Sequence, residues 1–170
     1  ILWWSPDPRA MLIPGHIHVS RRLARTLRQR RFEISVNRDF ISVIDGCAEP
    51  RGDTAGTWIT EEMREAYIEL HQRGHAHSVE VWRDENLAGG LYGVAIGRIF
   101  FAESKFYYEP NASNVALVEL MQRLEQRGYL ICDCQLWNPH LERFGVRMVA
   151  RNDFLRLLQH GIERAPVSFE

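Results

Sequence analysis

His77-Ser-Val-Glu-Val-Trp82, Arg83-Asp-Glu-Asn86, Leu87-Ala-Gly-Gly-Leu-Tyr-Gly-Val-Ala-Ile96, Gly97-Arg98 and Ile99-Phe-Phe-Ala-Glu103 follow one another without a break. In the first run, His77, Val79 and Val81 alternate with Ser78, Glu80 and Trp82, which is the two-residue period of a strand. Residues 83–86 form a polar turn, residues 87–96 a glycine-containing strand, and Gly97-Arg98 a tight turn into residues 99–103. Three strands joined by such short turns make an antiparallel meander.

Helical signals lie on both sides of this meander. Thr60 starts a helix whose first turn carries Glu61 and Glu62, where the helix dipole favours acids. Met63, Tyr67 and Leu70 line its inner face and Gly74 ends it. Residues 50–56 form a loop, Phe40, Val43, Ile44 and Cys47 recur at helical spacing, and residues 32–36 form a short strand. The opening Ile1-Leu-Trp-Trp-Ser-Pro-Asp-Pro8 is an extended packed segment. Beyond the meander, Ser113 is the expected cap of a helix with Leu117, Leu120, Met121 and Leu124 as its apolar stripe and Gly128 as its stop. Residues 130–135 read as a short buried strand, 138–144 as a short helix, 148–150 as a final strand and 153–158 as a helical tail.

A chain of 170 residues, 45% hydrophobic and 25% charged, is long enough and ordinary enough in composition for a globular domain with a real core. No stretch approaches the roughly 20 apolar residues of a membrane span and no signal-peptide pattern is present, so no membrane partner is expected. Three cysteines are an odd number, which fits a reducing, cytoplasmic setting better than a disulfide framework. The net charge of −1 conceals a local excess. Six of the eleven residues from 21 to 31 are arginine and none is acidic. With Ser20 as N-cap, Arg21, Arg25 and Arg28 share one helical face and Leu23, Ala24 and Leu27 another. Such a stripe is either a solvated face or a phosphate-backbone contact.

Asp133 interrupts the apolar run Tyr129-Leu-Ile-Cys-Asp-Cys-Gln135. A carboxylate inside a buried strand costs several kcal/mol unless paired or hydrogen-bonded. Gln135, two residues on, is expected on the same strand face. An acid and an amide side by side can orient an amine and stabilise an oxyanion, or form an ordinary internal pair. Glu103 closes the run Ile-Phe-Phe-Ala and could hold a cation or pair with an arginine. His71, His75 and His77 are interrupted by Gly74 and have no Asp, Glu or Cys beside them, so no metal site is read there. Cys132 and Cys134 point opposite to Asp133, into the core. Phosphate-loop and dinucleotide motifs are absent.

The order strand, two helices, three strands, helix, strand, helix, strand resembles the GNAT acyltransferase fold. That is an α/β (α+β) domain with a mixed, mostly antiparallel sheet and helices on both faces. In that fold the acyl donor sits where the fourth and fifth strands splay apart, here residues 99–103 and 130–135. CoA-using members carry a glycine-containing turn after the fourth strand. The corresponding Glu103-Ser-Lys-Phe-Tyr-Tyr-Glu-Pro-Asn-Ala-Ser113 has no glycine. That departure weighs against a CoA-dependent N-acetyltransferase. A non-catalytic module binding tRNA or basic N-termini is the other alternative.

Eight segments in order sharpen the resemblance: Trp3-Trp-Ser-Pro-Asp-Pro-Arg9, Gly56-Thr-Trp-Ile-Thr60, Gly74-His-Ala-His-Ser-Val-Glu-Val-Trp82, Gly89-Gly-Leu-Tyr-Gly-Val94, Glu103-Ser104, Asn111-Ala-Ser113, Asp133-Cys-Gln135, and Asn138 with His140. Together they resemble the bacterial leucyl/phenylalanyl-tRNA-protein transferase family. The resemblance implies transfer of Leu or Phe, with Met a further candidate, from aminoacyl-tRNA to proteins bearing N-terminal Arg or Lys. It implies the N-degron pathway and neither CoA nor metal. The family's polar site residues match Glu103, Asp133 and Gln135. Its apolar donor pocket and neighbouring adenosine site match, in part, Trp58, Leu91, Leu117, Leu120, Leu124 and Cys132. The required polyanion makes Arg21, Arg25 and Arg28 the expected tRNA contacts. Residues 1–31 are expected to be the remnant of a longer N-terminal part, residues 32–160 the transferase domain and 161–170 a tail. Where the family commonly reads Met-Phe-Ser-Arg after Glu103-Ser104, this chain has Lys105-Phe-Tyr-Tyr108.

Overall fold

A computed structural model describes residues 5–50 and 56–170. The expected extended packing of residues 1–4 and most of the loop expected at 50–56 lie outside the described residues. In chain order the elements are β1 (Arg9–Leu12), α1 (Arg21–Arg28), β2 (Glu33–Val36), α2 (Phe40–Ala48), α3 (Glu61–Gln72), β3 (Ala76–Arg83), β4 (Asn86–Ile96), β5 (Ile99–Tyr107), α4 (Ala112–Gln126), β6 (Ile131–Gln135), α5 (Pro139–Glu142), β7 (Arg147–Val149) and α6 (Arg151–Ile162). The sheet has the order β2-β3-β4-β5-β6-β1-β7. Every neighbouring pair is antiparallel except β5 and β6. This is the GNAT-like arrangement expected from the sequence, with one element added. β1, which the sequence pattern did not reveal, lies inside the sheet between β6 and β7.

Helices cover both faces, and consecutive residues of β4 show it. Leu91 packs with Val79, Val81, Phe100, Leu117, Leu120 and Leu124 under α4, together with Leu23 of α1. Tyr92 packs with Phe40, Val43, Ile44 and Phe106 under α2 and α3. A third cluster, Met11, Ile99, Ile131 and Phe154, lies under α6. In β3 the alternation separates two buried layers, because every residue from Ala76 to Trp82 is buried. Glu80, polar within that layer, accepts hydrogen bonds from the hydroxyls of Ser35 and Ser78. Leu23 of α1 and Phe169 near the chain's end share the α4 cluster, so residues set apart by sequence pattern as 1–31 and 161–170 contribute to the same core.

Ser20 and Thr60 cap α1 and α3 where the sequence places those helix starts, and Asp39, not singled out there, caps α2. Ser20, Asp39 and Thr60 accept the amides of Leu23, Ser42 and Met63. In α3, Tyr67 and Leu70 face the core as expected, with Ile68 beside them. α4 differs: Ser113 is not its cap but lies inside its first turn. The helix begins earlier because Asn111, at φ +74°, turns the chain. Gly89 then lets Ala112 settle on the sheet, since a Cβ there would lie 2.8 Å from that of Ala112.

β4 and β5 slip register by one residue, with Tyr92 opposite Ser104 and Gly93 opposite Ala102, which leaves Glu103 as the extra residue of a bulge. A Cβ on Gly93 would stand 2.2 Å from the Phe101 carbonyl oxygen and 2.5 Å from the Phe100 ring. Backbone there cannot yield without breaking the ladder. G93A is therefore expected to lower stability by about 1–3 kcal/mol, read from urea unfolding. A wild-type midpoint would show that the bulge tolerates a methyl group.

Candidate active site

β5 and β6 run together only through Ile99–Ile131, Phe100–Cys132 and Phe101–Asp133. Past that level β5 stays with β4 and β6 stays with β1. Both strands are irregular where they part. Glu103 is the extra residue of β5, and on β6 the register moves from Asp133 opposite Met11 to Gln135 opposite Ala10, passing over Cys134. Bulges bend and twist a strand, so two of them at one level open a gap. Glu103 and Asp133 border that gap on one face of the sheet. Each follows by two residues a member of the α6-side cluster, Phe101 and Ile131.

Asp133 has no solvent exposure, and its charge is met by Arg9, whose side chain is 13% exposed. Arg9 Nε donates to both carboxylate oxygens at 3.0 and 3.1 Å, and Nη2 donates to Oδ2 at 2.7 Å. A third donor is the backbone N–H of Gln135, 3.0 Å from Oδ1. The Arg9 guanidinium lies over the Phe154 ring, 4.7 Å from its centre. Simple strand alternation does not hold at Gln135, which sits at φ +57°. What Gln135 gives Asp133 is therefore its main-chain amide. Arg9 was not among the residues singled out by sequence. The buried acid demanded a cation, but nothing in the sequence said which.

Burial raises the Glu103 carboxyl above the ordinary glutamate range, and the charge of Asp133 acts the same way. Hydrogen bonding to Tyr67 and the charge of Arg9 pull it down. Burial, reinforced by Glu103, raises the Tyr67 phenol in turn. Tyr67 stands edge-on to Tyr92 on one side and to Trp58 on the other, at 5.1 and 6.5 Å between ring centres. The fully buried Tyr92 hydroxyl has no hydrogen-bond partner among the described residues. An aromatic wall ending at Trp58 thus flanks Glu103.

The six residues matched to the apolar donor pocket and the adenosine site beside it divide between the two faces. Leu91, Leu117, Leu120, Leu124 and Cys132, each at most 3% exposed, belong to the cluster under α4. Trp58 is 52% exposed on the Glu103 face. Arg21, Arg25 and Arg28 are exposed on α1 while Leu23 is buried. His71 lies against the Phe40 ring with its Nδ1 2.9 Å from the Ala76 carbonyl, and His77 lies against Phe169 with its Nδ1 3.0 Å from Asn37 Nδ2. Burial lowers His77 to about 4.

Residues 11–159 match the family model described as leucyl/phenylalanyl-tRNA protein transferase. The chain belongs to this family. A leucyl/phenylalanyl-tRNA--protein transferase of Azotobacter vinelandii is 53% identical over 163 residues, covering 96% of this chain and 72% of that protein. One from Pseudomonas aeruginosa is 52% identical over 166 residues, covering 98% and 74%. Among solved structures, L-PGS from Bacillus licheniformis superposes with a TM-score of 0.53 at 12% identity, covering 80% of this chain and 47% of that one, a likeness of fold alone. In this member of the leucyl/phenylalanyl-tRNA protein transferase family, Glu103, Asp133 and Gln135 all lie within the matched span.

Removing one partner of a buried ion pair leaves the other charge uncompensated. R9M is therefore expected to destabilise the protein by about 3–5 kcal/mol, and to cost clearly less when Asp133→Asn is already present. A double-mutant cycle by urea denaturation measures this. Equal costs in the two backgrounds would mean that the Arg9–Asp133 contact contributes nothing to stability.

Proposed function

We propose that this chain is an aminoacyltransferase that moves a leucyl, phenylalanyl or methionyl group from tRNA to the N-terminal Arg or Lys of acceptor proteins, a step of the N-degron pathway. The observation that carries this is membership of the leucyl/phenylalanyl-tRNA protein transferase family over residues 11–159, with relatives of that name at about half identity. A cytoplasmic setting follows from the donor. No helix among the described residues is long and apolar enough to cross a membrane.

The reaction is aminolysis of an ester. The acceptor's α-amine attacks the aminoacyl carbonyl, a C–N bond forms, the C–O bond to the tRNA ribose breaks, and the amine's proton passes to the departing ribose oxygen. The ester is already activated, so positioning supplies much of the rate. Asp133, whose oxygens are held by Arg9 and the Gln135 amide, orients the amine from a fixed place once neighbouring side chains part to expose it, since it has no solvent exposure at rest. The Gln135 side chain serves the oxyanion. Glu103, beside Tyr67 and Trp58, suits the cationic side chain of the acceptor, since a carboxylate and aromatic faces both attract cations. The donor side chain goes to Leu91, Leu117, Leu120, Leu124 and Cys132. Their near-zero exposure means that these side chains must part to admit it. Burial there is worth about 25 cal/mol per Å².

Incubation with labelled Leu-tRNA and an Arg-starting peptide should give a new peptide bond. Asp133→Asn should lower transfer by at least about 100-fold in a folded protein. A folded variant with normal turnover would make Asp133 structural only.

Arg21, Arg25 and Arg28 are the proposed contacts to the tRNA backbone. Their triple change to Ala should raise KM for aminoacyl-tRNA and flatten its salt dependence, by somewhat under about 1 log–log unit per lost phosphate contact. Aminoacyl-adenosine, which lacks the stem, should react as before. Equal loss with both donors would assign the stripe to the fold, and no loss with tRNA would leave it a solvated face.

A further inference from the structure

A cavity of about 240 Å³ lies at the start of α4, apart from Glu103 and Asp133. Separate stretches of chain close it: His18 ahead of α1, Arg22 on α1, Asn111 and Asn114 at the head of α4, and His140 and Arg143 on and after α5. None of its ten lining residues is Asp or Glu. Neither Arg22 nor Arg143 has an acidic partner among the described residues. Two arginines thus converge here, one from α1 and one from the end of α5, with no acidic residue in the lining.

The helix end adds to this. α4 is 15 residues long and has no side-chain cap. The amides of Ala112 and Asn114 reach the carbonyls of Glu109 and Asn111, and that of Ser113, a residue beside the lining rather than in it, finds no acceptor among the described residues. An open amide at the positive end of a helix dipole favours an anion. Two of the lining residues also carry a buried side-chain atom with no partner among the described residues, Asn114 Oδ1 and His140 Nε2. Buried polar groups without partners are uncommon, and a half-turn of the Asn114 amide exchanges its acceptor for a donor. Burial lowers His140 to about 4, and the charges of Lys105 and Arg143 push it the same way. An anion in the cavity would reverse that push.

We infer that this cavity binds a phosphate group and, on the function proposed above, that it holds a phosphodiester of the donor tRNA's single-stranded 3′ end. It is smaller than the usual 300 to 1,000 Å³ or so of a drug-sized site, so it takes one compact group. It also lies at the right place. β5 carries Glu103 at the gap, reaches Lys105 about 7 Å further on, and leads through residues 108–111 into the uncapped helix. A donor whose ester sits at the gap can lay the phosphate next to its terminal nucleoside in this cavity, while the stem extends towards α1.

Three donors test the assignment: Leu-tRNA, a CCA trinucleotide carrying Leu, and Leu-adenosine, which has no phosphate. R143A and R22A should each lower the ratio of kcat/KM for the trinucleotide over the adenosine donor by at least about 10-fold, the size of one lost charge-assisted hydrogen bond. An unchanged ratio in folded variants overturns the tRNA assignment. Independently of turnover, NMR titration should show the His140 pKa rising by about 1 unit or more when uncharged CCA trinucleotide is added to the wild-type protein. A rise with inorganic phosphate but none with the trinucleotide makes this a free-phosphate site and overturns the tRNA assignment. No rise with either removes the anion site altogether. If the wild-type protein transfers from none of the three donors, the aminoacyl-transfer function fails, and the titration alone still decides the cavity.

Discussion

A carboxylate with no access to water has to be answered by a cation, and in this chain the answer comes from 124 residues away. The pair of Arg9 and Asp133 ties β1 to β6, and through the Phe154 ring it ties both to α6. Pairing and desolvation come close to cancelling in most buried ion pairs, so net stability is not its main product. What it fixes is place. Asp133 cannot turn away, the Gln135 amide is drawn onto it, and the end of β6 is held where β5 leaves it. The gap between the strands has one rigid wall because of this contact.

The two faces of the sheet divide the work. On one, Glu103, Asp133 and Arg9 bring charge to the gap beside a run of aromatic rings. On the other, α4 lays a closed apolar layer against Leu91 and Cys132. The charged and the apolar surfaces thus meet the level of the gap from opposite sides of the sheet. The gap exists because β5 and β6 each gain a residue at one level, and Gly93 is the small residue that lets β4 lie against that bulge.

Much of this was legible in the residues. The meander, the stripe of α4 and the two parting strands all follow from periodicity and turn chemistry, and Glu103 and Asp133 stood out as acids in apolar runs. What escaped has physical reasons. β1 is four residues long and paired on both sides, so it has neither the length nor the alternation of a half-exposed strand. Arg9 is one of 21 Lys and Arg residues, and charge cannot choose among them. Gln135 has left-handed backbone in a position that two-residue alternation treats as extended. Ser113 is a good cap by residue type, but Asn111 and the close seat of Ala112 on Gly89 start the helix before it. Trp58 and the α4 leucines are all apolar, and only the sheet between them shows that they face different ways.

The place of β1 also bears on how the molecule is made. Met11 lies opposite Asp133, 122 residues later in the chain, and Arg9 lies opposite Val149. A strand near the start of the sequence is thus an interior strand whose two neighbours are both translated late. Loop-closure entropy must be met before such distant pairing is rewarded, which slows folding. As the chain emerges, the hairpins β3-β4-β5 can close on local contacts, while the Arg-Ala-Met-Leu of β1 waits unpaired. The half of the sheet that carries Asp133 therefore waits for β6 and β7, and the wall that Arg9 and Asp133 make together is completed later than the meander of β3, β4 and β5.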